Sequence, residues 1–216
     1  WNFTGNFIPD GVTAQTVIDD YINAIGTSTK LMGVKKLHQR MEVSAQGMSL
    51  VTDVYRQSPD KFAAVIKMGP TVIQKETYDG TVGKVSGMQE NKTLEGEELE
   101  SFKERATIFP ELTYDQKGFK MELKGIEEIN GQNAYKMLIE SPSGEKVTEY
   151  FAVESSLKIR SVSGEGETVD FSEYKAVDGI MFPYSMSTTM PGAPMKMEMK
   201  VEAVEVNGDF DETVFQ

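Results

Sequence analysis

His38 is the chain's only histidine, and there is no cysteine. A Ser-His-Asp triad would have to use that one imidazole, and no Gly-x-Ser-x-Gly turn presents a serine nucleophile to it. Strand parity sets His38 beside Arg40 and Glu42, on a charged face where a solvated histidine is expected. Zinc-peptidase helices carry two histidines three or four residues apart, so this chain cannot build such a centre by itself. Thiol nucleophiles, thiolate metal sites and disulfides are ruled out with the missing cysteines. Carboxylates are abundant at Glu97, Glu98, Glu100, Glu104, Glu127, Glu128, Glu165 and Glu167. Two of them could flank a glycosidic bond, but nothing in their spacing pairs them, and surface charge is their expected role. Gly164-Glu165-Gly166 lacks the third glycine and the strand-to-helix context of a dinucleotide fingerprint. Asp209 to Glu212 lacks the loop spacing of a calcium site. The expectation is a chain with no catalytic residue, metal or cofactor of its own.

Apolar chemistry remains. Methionine occurs 13 times in 216 residues and gathers at Met181, Met186, Met190, Met195, Met197 and Met199. In the stretch MKMEMKVE, Met195, Met197, Met199 and Val201 take one strand parity and Lys196, Glu198, Lys200 and Glu202 the other. That is a strand with one apolar and one charged face. In the segment before it, Phe182, Tyr184 and Met186 share a parity. Such residues ordinarily fill a core; being flexible and polarizable, methionines also suit a surface that accepts apolar ligands of varied shape. The candidate lining is therefore Met195, Met197, Met199, Phe182, Tyr184 and Met186, with cross-strand register deciding whether the two faces coincide.

The elements that must hold this face are mostly strands. Residues 1–11 carry turn formers without a period and read as a linker or arm, with 12–216 as a single domain. The start at Trp1 suggests a mature fragment or a domain of a longer chain. Thr13 caps a helix whose Val17, Ile18, Tyr21, Ile22 and Ile25 form one stripe before Gly26 stops it. Ser28 caps a short second helix, after which the period changes to two. Hairpin turns at Gln46-Gly47, Pro59-Asp60, Gly69-Pro70 and Asp79-Gly80 separate the first strands. Residues 95–107 read as a second covering helix ended by Pro110, and further strands follow at a spacing near ten residues. About a dozen antiparallel strands should curl into a half-open barrel, with the two helices covering the concave side. The fold class is mainly β (α+β). A formal charge of −12 argues against a nucleic-acid partner.

This order of elements resembles a known group. Ala24-Ile25-Gly26 at the end of the first helix, the long meander and the closing YKAVDGIMFP (Tyr174 to Pro183) are similar to the LolA-like outer-membrane lipoprotein carrier superfamily. More narrowly they resemble the C-terminal region that follows insulinase-like zinc peptidase modules in Bacteroidetes-type proteins. The resemblance covers about Val12 to Gln216. It implies a half-barrel in the periplasm or the outer-membrane-associated cell envelope, with a cavity for an acyl chain, a lipoprotein or another apolar ligand. The alternative it implies is an interaction module accessory to a zinc peptidase, its barrel filled by its own helices. A hydrolase using an acidic pair is a third reading.

Overall fold

A computed structural model describes residues 7–45, 47–88, 90–192 and 196–216. Trp1, Phe3, Gln46 and Met195 therefore lie outside the described residues. The elements are α1 (Ala14–Ile25), α2 (Ser28–Met32), β1 (Lys36–Ala45), β2 (Met48–Gln57), β3 (Lys61–Met68), β4 (Thr71–Tyr78), β5 (Gly83–Gly87), β6 (Asn91–Thr93) and α3 (Gly96–Ala106). After a 3-10 turn at Pro110–Thr113 come β7 (Lys120–Ile129), β8 (Gln132–Glu140), β9 (Lys146–Ala152), β10 (Lys158–Ser163), β11 (Thr168–Val177), β12 (Ile180–Thr189), β13 (Lys196–Val206) and a last 3-10 turn at Glu212–Phe215. The strands hydrogen-bond in the order β6-β5-β4-β3-β2-β1-β13-β12-β11-β10-β9-β8-β7. This is the mainly β, antiparallel and open sheet that the two-residue beat predicts. The order ends on β6 and β7, and β7 carries a bulge between Leu123 and Gly125. The chain clusters into two compact units, Trp1–Lys30 with Glu111–Met197, and Leu31–Pro110 with Glu198–Gln216.

The first unit is built around α1. Thr16 N–H donates to Thr13 Oγ1 at 3.2 Å and Thr13 N–H to Thr16 Oγ1 at 2.9 Å, a capping box with threonine in the place more often held by Glu or Gln. The whole predicted stripe, Val17, Ile18, Tyr21, Ile22 and Ile25, is buried. The helix touches both β7 and β12, the first and last of six consecutive strands. Gly26 ends the helix as expected, but the left-handed residue is Thr27, at φ 88°. Ile22→Asp should place an unpaired carboxylate in this core and cost about 2–4 kcal/mol in urea unfolding. A change within about 0.5 kcal/mol would mean that α1 is not held here.

In the second unit α3 lies on one sheet face, where Phe102 and Ala106 join Val54, Phe62, Ala64, Tyr78 and Leu94. The helix ends at Ala106, short of Pro110; that proline instead opens the 3-10 turn. Strand β5 begins only at Gly83, because Asp79 Oδ1 accepts the N–H groups of Thr81 and Val82, at 2.8 and 2.7 Å, holding both in the turn. The acidic segment near the C-terminus leads into the last 3-10 turn, which is docked. Glu212 accepts from Gln57 and Lys61 at 3.1 and 3.3 Å, and Phe215 is buried.

Candidate functional site

Two buried charge clusters and one apolar strand face could bear function, and each is fixed by strand register. In the first unit, a bulge between Lys158 and Arg160 pairs Lys158 with Phe151 and Arg160 with Tyr150. Residues 158 and 160 would share a face in a regular strand; the bulge sends them to opposite faces. Arg160 joins Asp170 through two hydrogen bonds, at 2.6 and 3.0 Å. Lys158 turns inward, where its ammonium meets Glu111 at 2.7 Å and Glu149 at 2.6 Å. The rings of Tyr21 and Phe151 lie 5.4 and 5.7 Å from the same nitrogen, and Tyr174 Oη donates to the Lys158 carbonyl at 2.7 Å.

One cation thus serves two carboxylates away from water. Burial pushes the Glu149 carboxyl above the usual glutamate range, with Lys158 offsetting part of that rise, and Glu149 Oε2 has no hydrogen-bond partner. Burial works against the Lys158 ammonium, but the charges of Glu111 and Glu149 outweigh it and hold its pKa well above the ordinary lysine value. Burial likewise raises the Tyr21 and Tyr174 phenols. A lysine locked as ammonium is no nucleophile, and phenols held neutral are no bases. The cluster is an ionic lock joining β9, β10 and the 110–113 turn beside α1.

In the second unit Asp53, 2% exposed, is opposite Arg40 in the β1–β2 register. It receives Lys67 Nζ at 2.9 Å, His38 Nε2 at 3.1 Å and Arg40 at 3.3 Å. Burial raises the Asp53 pKa, and the hydrogen bonds from Lys67 and His38 reverse that effect, leaving it below the usual aspartate value. The solvated histidine expected at position 38 is corrected here. His38 is half-buried, bonded to Asp53 and stacked on Tyr55 with ring centroids 4.3 Å apart. The reason is that its strand face also carries a buried carboxylate, which parity among charged residues did not reveal.

Of the predicted apolar lining, Phe182 is buried on β12, and Tyr184 and Met186 are half-buried on the same strand. Lys175 lies opposite Phe182, with its ammonium 4.5 Å from the Tyr184 ring, and Phe171 lies opposite Met186. Met197 and Met199 are half-buried on β13, Met199 opposite Val43. Phe182, Tyr184, Met186 and Met197 belong to the first unit and Met199 to the second. The eight surface carboxylates named from sequence are exposed or half-buried. The buried ones, Asp53, Glu111 and Glu149, were missed. Glu149 had a readable signal, since it shares parity with Val147 and Phe151 on β9. A cavity of about 600 Å³ also opens on the first unit, where Ile8 of the arm faces Leu123, Ile126, Lys136 and Leu138. None of the described residues of the predicted lining borders it.

No protein-family profile and no curated protein matches the chain by sequence. Solved structures do match its fold. A DUF1329 family protein from Desulfovibrio piger superposes with a TM-score of 0.67 at 11% identity, over 94% of this chain and 97% of the other. A domain classed with outer membrane lipoprotein-sorting proteins, from Vibrio parahaemolyticus, gives 0.65 at 11% identity over 94% and 97%. A LolA superfamily protein from Nitrosomonas europaea gives 0.63 at 13% identity over 95% and 98%. Over nearly its whole length, then, this chain has the fold seen in LolA superfamily and lipoprotein-sorting structures.

Proposed function

We propose that this chain is a non-catalytic domain of the cell envelope, periplasmic or associated with the outer membrane, that holds an acyl chain of a lipoprotein or another apolar ligand. The observation that carries the reading is the fold likeness to LolA superfamily and lipoprotein-sorting structures over nearly the full chain. The half-buried, alternating apolar residues of β12 and β13 are compatible with it. In this reading Phe182, Tyr184, Met186, Met197 and Met199, with Met195, line the ligand site. Burial of an acyl chain contributes about 0.8 kcal/mol per methylene, so about ten methylenes would supply near 8 kcal/mol before the cost of ordering them.

Met197→Glu should weaken binding of a fluorescent fatty-acyl probe by about tenfold or more, equivalent to at least about 1.4 kcal/mol. Lys200→Gln, an exposed change on the same strand that also lowers the net charge by one, should leave binding within about twofold. Equal weakening by both, or no probe binding by the parent, would overturn the carrier reading. Mass spectrometry of an organic extract of the purified protein should show the natural ligand class.

A second reading has an observation of its own. The helices α1 and α3 each bury their apolar stripes on the sheet of their own unit. A self-filled interior of this kind suits an interaction module, such as one accessory to an insulinase-like zinc peptidase in Bacteroidetes-type proteins. A parent that binds no acyl probe but co-purifies with such a peptidase would favour it.

A further inference from the structure

The second unit carries an apolar feature at one end of its sheet. The turns β1–β2, β3–β4 and β5–β6 all lie at that end, because the register pairs Val51 with Lys67, Lys67 with Val72 and Gln74 with Gly87. These hairpins are neighbours in the strand order. Their exposed apolar side chains are Met48 (59% exposed), Met68 (52%), Val72 (50%) and Met88 (77%). The last of these is fixed beside the second hairpin, since Met88 N–H donates to Ile73 O at 3.1 Å.

Long stretches of the same hairpins carry no charge, although the β5–β6 turn closes on the exposed Glu90, which pairs with Lys92 at 3.2 Å. Val43 to Thr52, Met68 to Gln74 and Val85 to Gln89 contain no Asp, Glu, Lys or Arg. In a chain that is 26% charged, these 22 residues would on average carry about six charges. The opposite end of the unit follows the average, with Asp60 and Lys61 at the β2–β3 turn, Asp79 at the β4–β5 turn and Asp209 after β13. The opposite end exposes Val82 (37%) among those charges, whereas larger apolar exposure on charge-free stretches, as at the first end, is the pattern of a surface that leaves water in use.

We propose that these three hairpin tips dip into the interfacial region of a neutral lipid bilayer. The occupant follows from the form of the patch. The tips offer three methionines and a valine spread over three turns, without the aromatic or arginine anchors that concentrate binding energy in protein interfaces. A bilayer presents a plane that several tips on one rim reach together, and its hydrocarbon takes each side chain without a complementary pocket. Turns without Lys or Arg on a chain of net charge −12 would gain nothing from an anionic surface, so the lipid is zwitterionic. The proposal does not rest on the acyl-ligand reading, because none of the four residues belongs to the candidate lining.

The test is flotation of the whole chain with phosphatidylcholine vesicles. The parent should float with them, and raising salt from about 0.1 to about 0.5 M should leave binding unchanged or slightly stronger. Met68→Glu and Met88→Glu should each lower partitioning about fivefold or more, while Thr81→Glu at the opposite end leaves it unchanged. Met88→Trp should raise it, a gain that misfolding cannot mimic. Circular dichroism should show every variant folded. The proposal is overturned if the parent does not float, or if the glutamate variants float as well as the parent. It is likewise overturned if binding requires anionic lipid and vanishes with salt. Loss of a dimer by light scattering in Met68→Glu, with vesicle binding intact, would assign the rim to a second copy of the chain and overturn the lipid assignment.

Discussion

Replacing Lys158 with methionine is expected to cost about 3–5 kcal/mol of unfolding free energy, the usual penalty for removing one partner from a buried ion cluster. The wild-type ammonium sits 2.7 Å from Glu111 and 2.6 Å from Glu149, and without it two carboxylates face each other in a dry site. The pH dependence makes the cause identifiable. Burial already raises the folded Glu149 pKa above the usual glutamate range. The folded chain therefore holds a proton that the unfolded chain has released, and stability falls as pH rises from the unfolded value through the folded one. Removing Lys158 takes away the charge that limits this rise, so the window widens upward. The deficit of the variant should be smaller at about pH 5 than at about pH 8 in urea titrations. A uniform loss across that range would assign the effect to packing of the lysine stem against Tyr21 and Phe151.

Phe62→Ala should remove a similar amount, about 3–5 kcal/mol, from the second unit. The ring is 1% exposed and meets Phe102 of α3 edge-on at 5.8 Å. The guanidinium carbons of Arg105 and Arg56 lie 4.4 and 5.8 Å from its centroid. Arg56 depends on this setting. Burial, then the charge of Arg105, brings its pKa down to about 10, and its hydrogen bonds go to the Arg105 carbonyl at 2.8 Å and to Gln39 at 3.1 Å. Loss of the ring opens a cavity and strips an aromatic face from a poorly solvated cation. Phe62→Leu, which keeps most of the volume, should cost less than about 1.5 kcal/mol in the same assay. If alanine costs no more than leucine, α3 has collapsed onto the gap and its packing is not fixed by this ring.

Strand positions were legible wherever alternation and a turn residue coincided. Lys61–Met68 and Thr71–Tyr78 begin and end where the turns at Pro59-Asp60, Gly69-Pro70 and Asp79-Gly80 put them. The stripe of α1 was legible for the same reason, since five apolar residues at helical spacing have one low-energy use. The three-residue strand β6 was not, because Asn-Lys-Thr has no apolar parity to show. The charge clusters were hidden by long-range geometry. Glu111 meets Lys158 across 47 positions of sequence, and a bulge, which parity cannot foresee, aims the lysine inward. The alternation of Met, Phe and Tyr on the last two strands was visible in the sequence, whereas what such a face contacts is not encoded in alternation.

A sheet whose order ends on β6 and β7 leaves two rows of backbone groups available to any extended chain, including another copy of itself. One row is three residues long, too short to nucleate pairing. The other is ten, but it presents Lys120, Glu122 and Lys124 in alternation, and its bulge at Leu123/Gly125 breaks the straight run after four residues. An incoming strand would have to desolvate those charges and follow the bend. Both ends of the meander are therefore poor templates for cross-β growth.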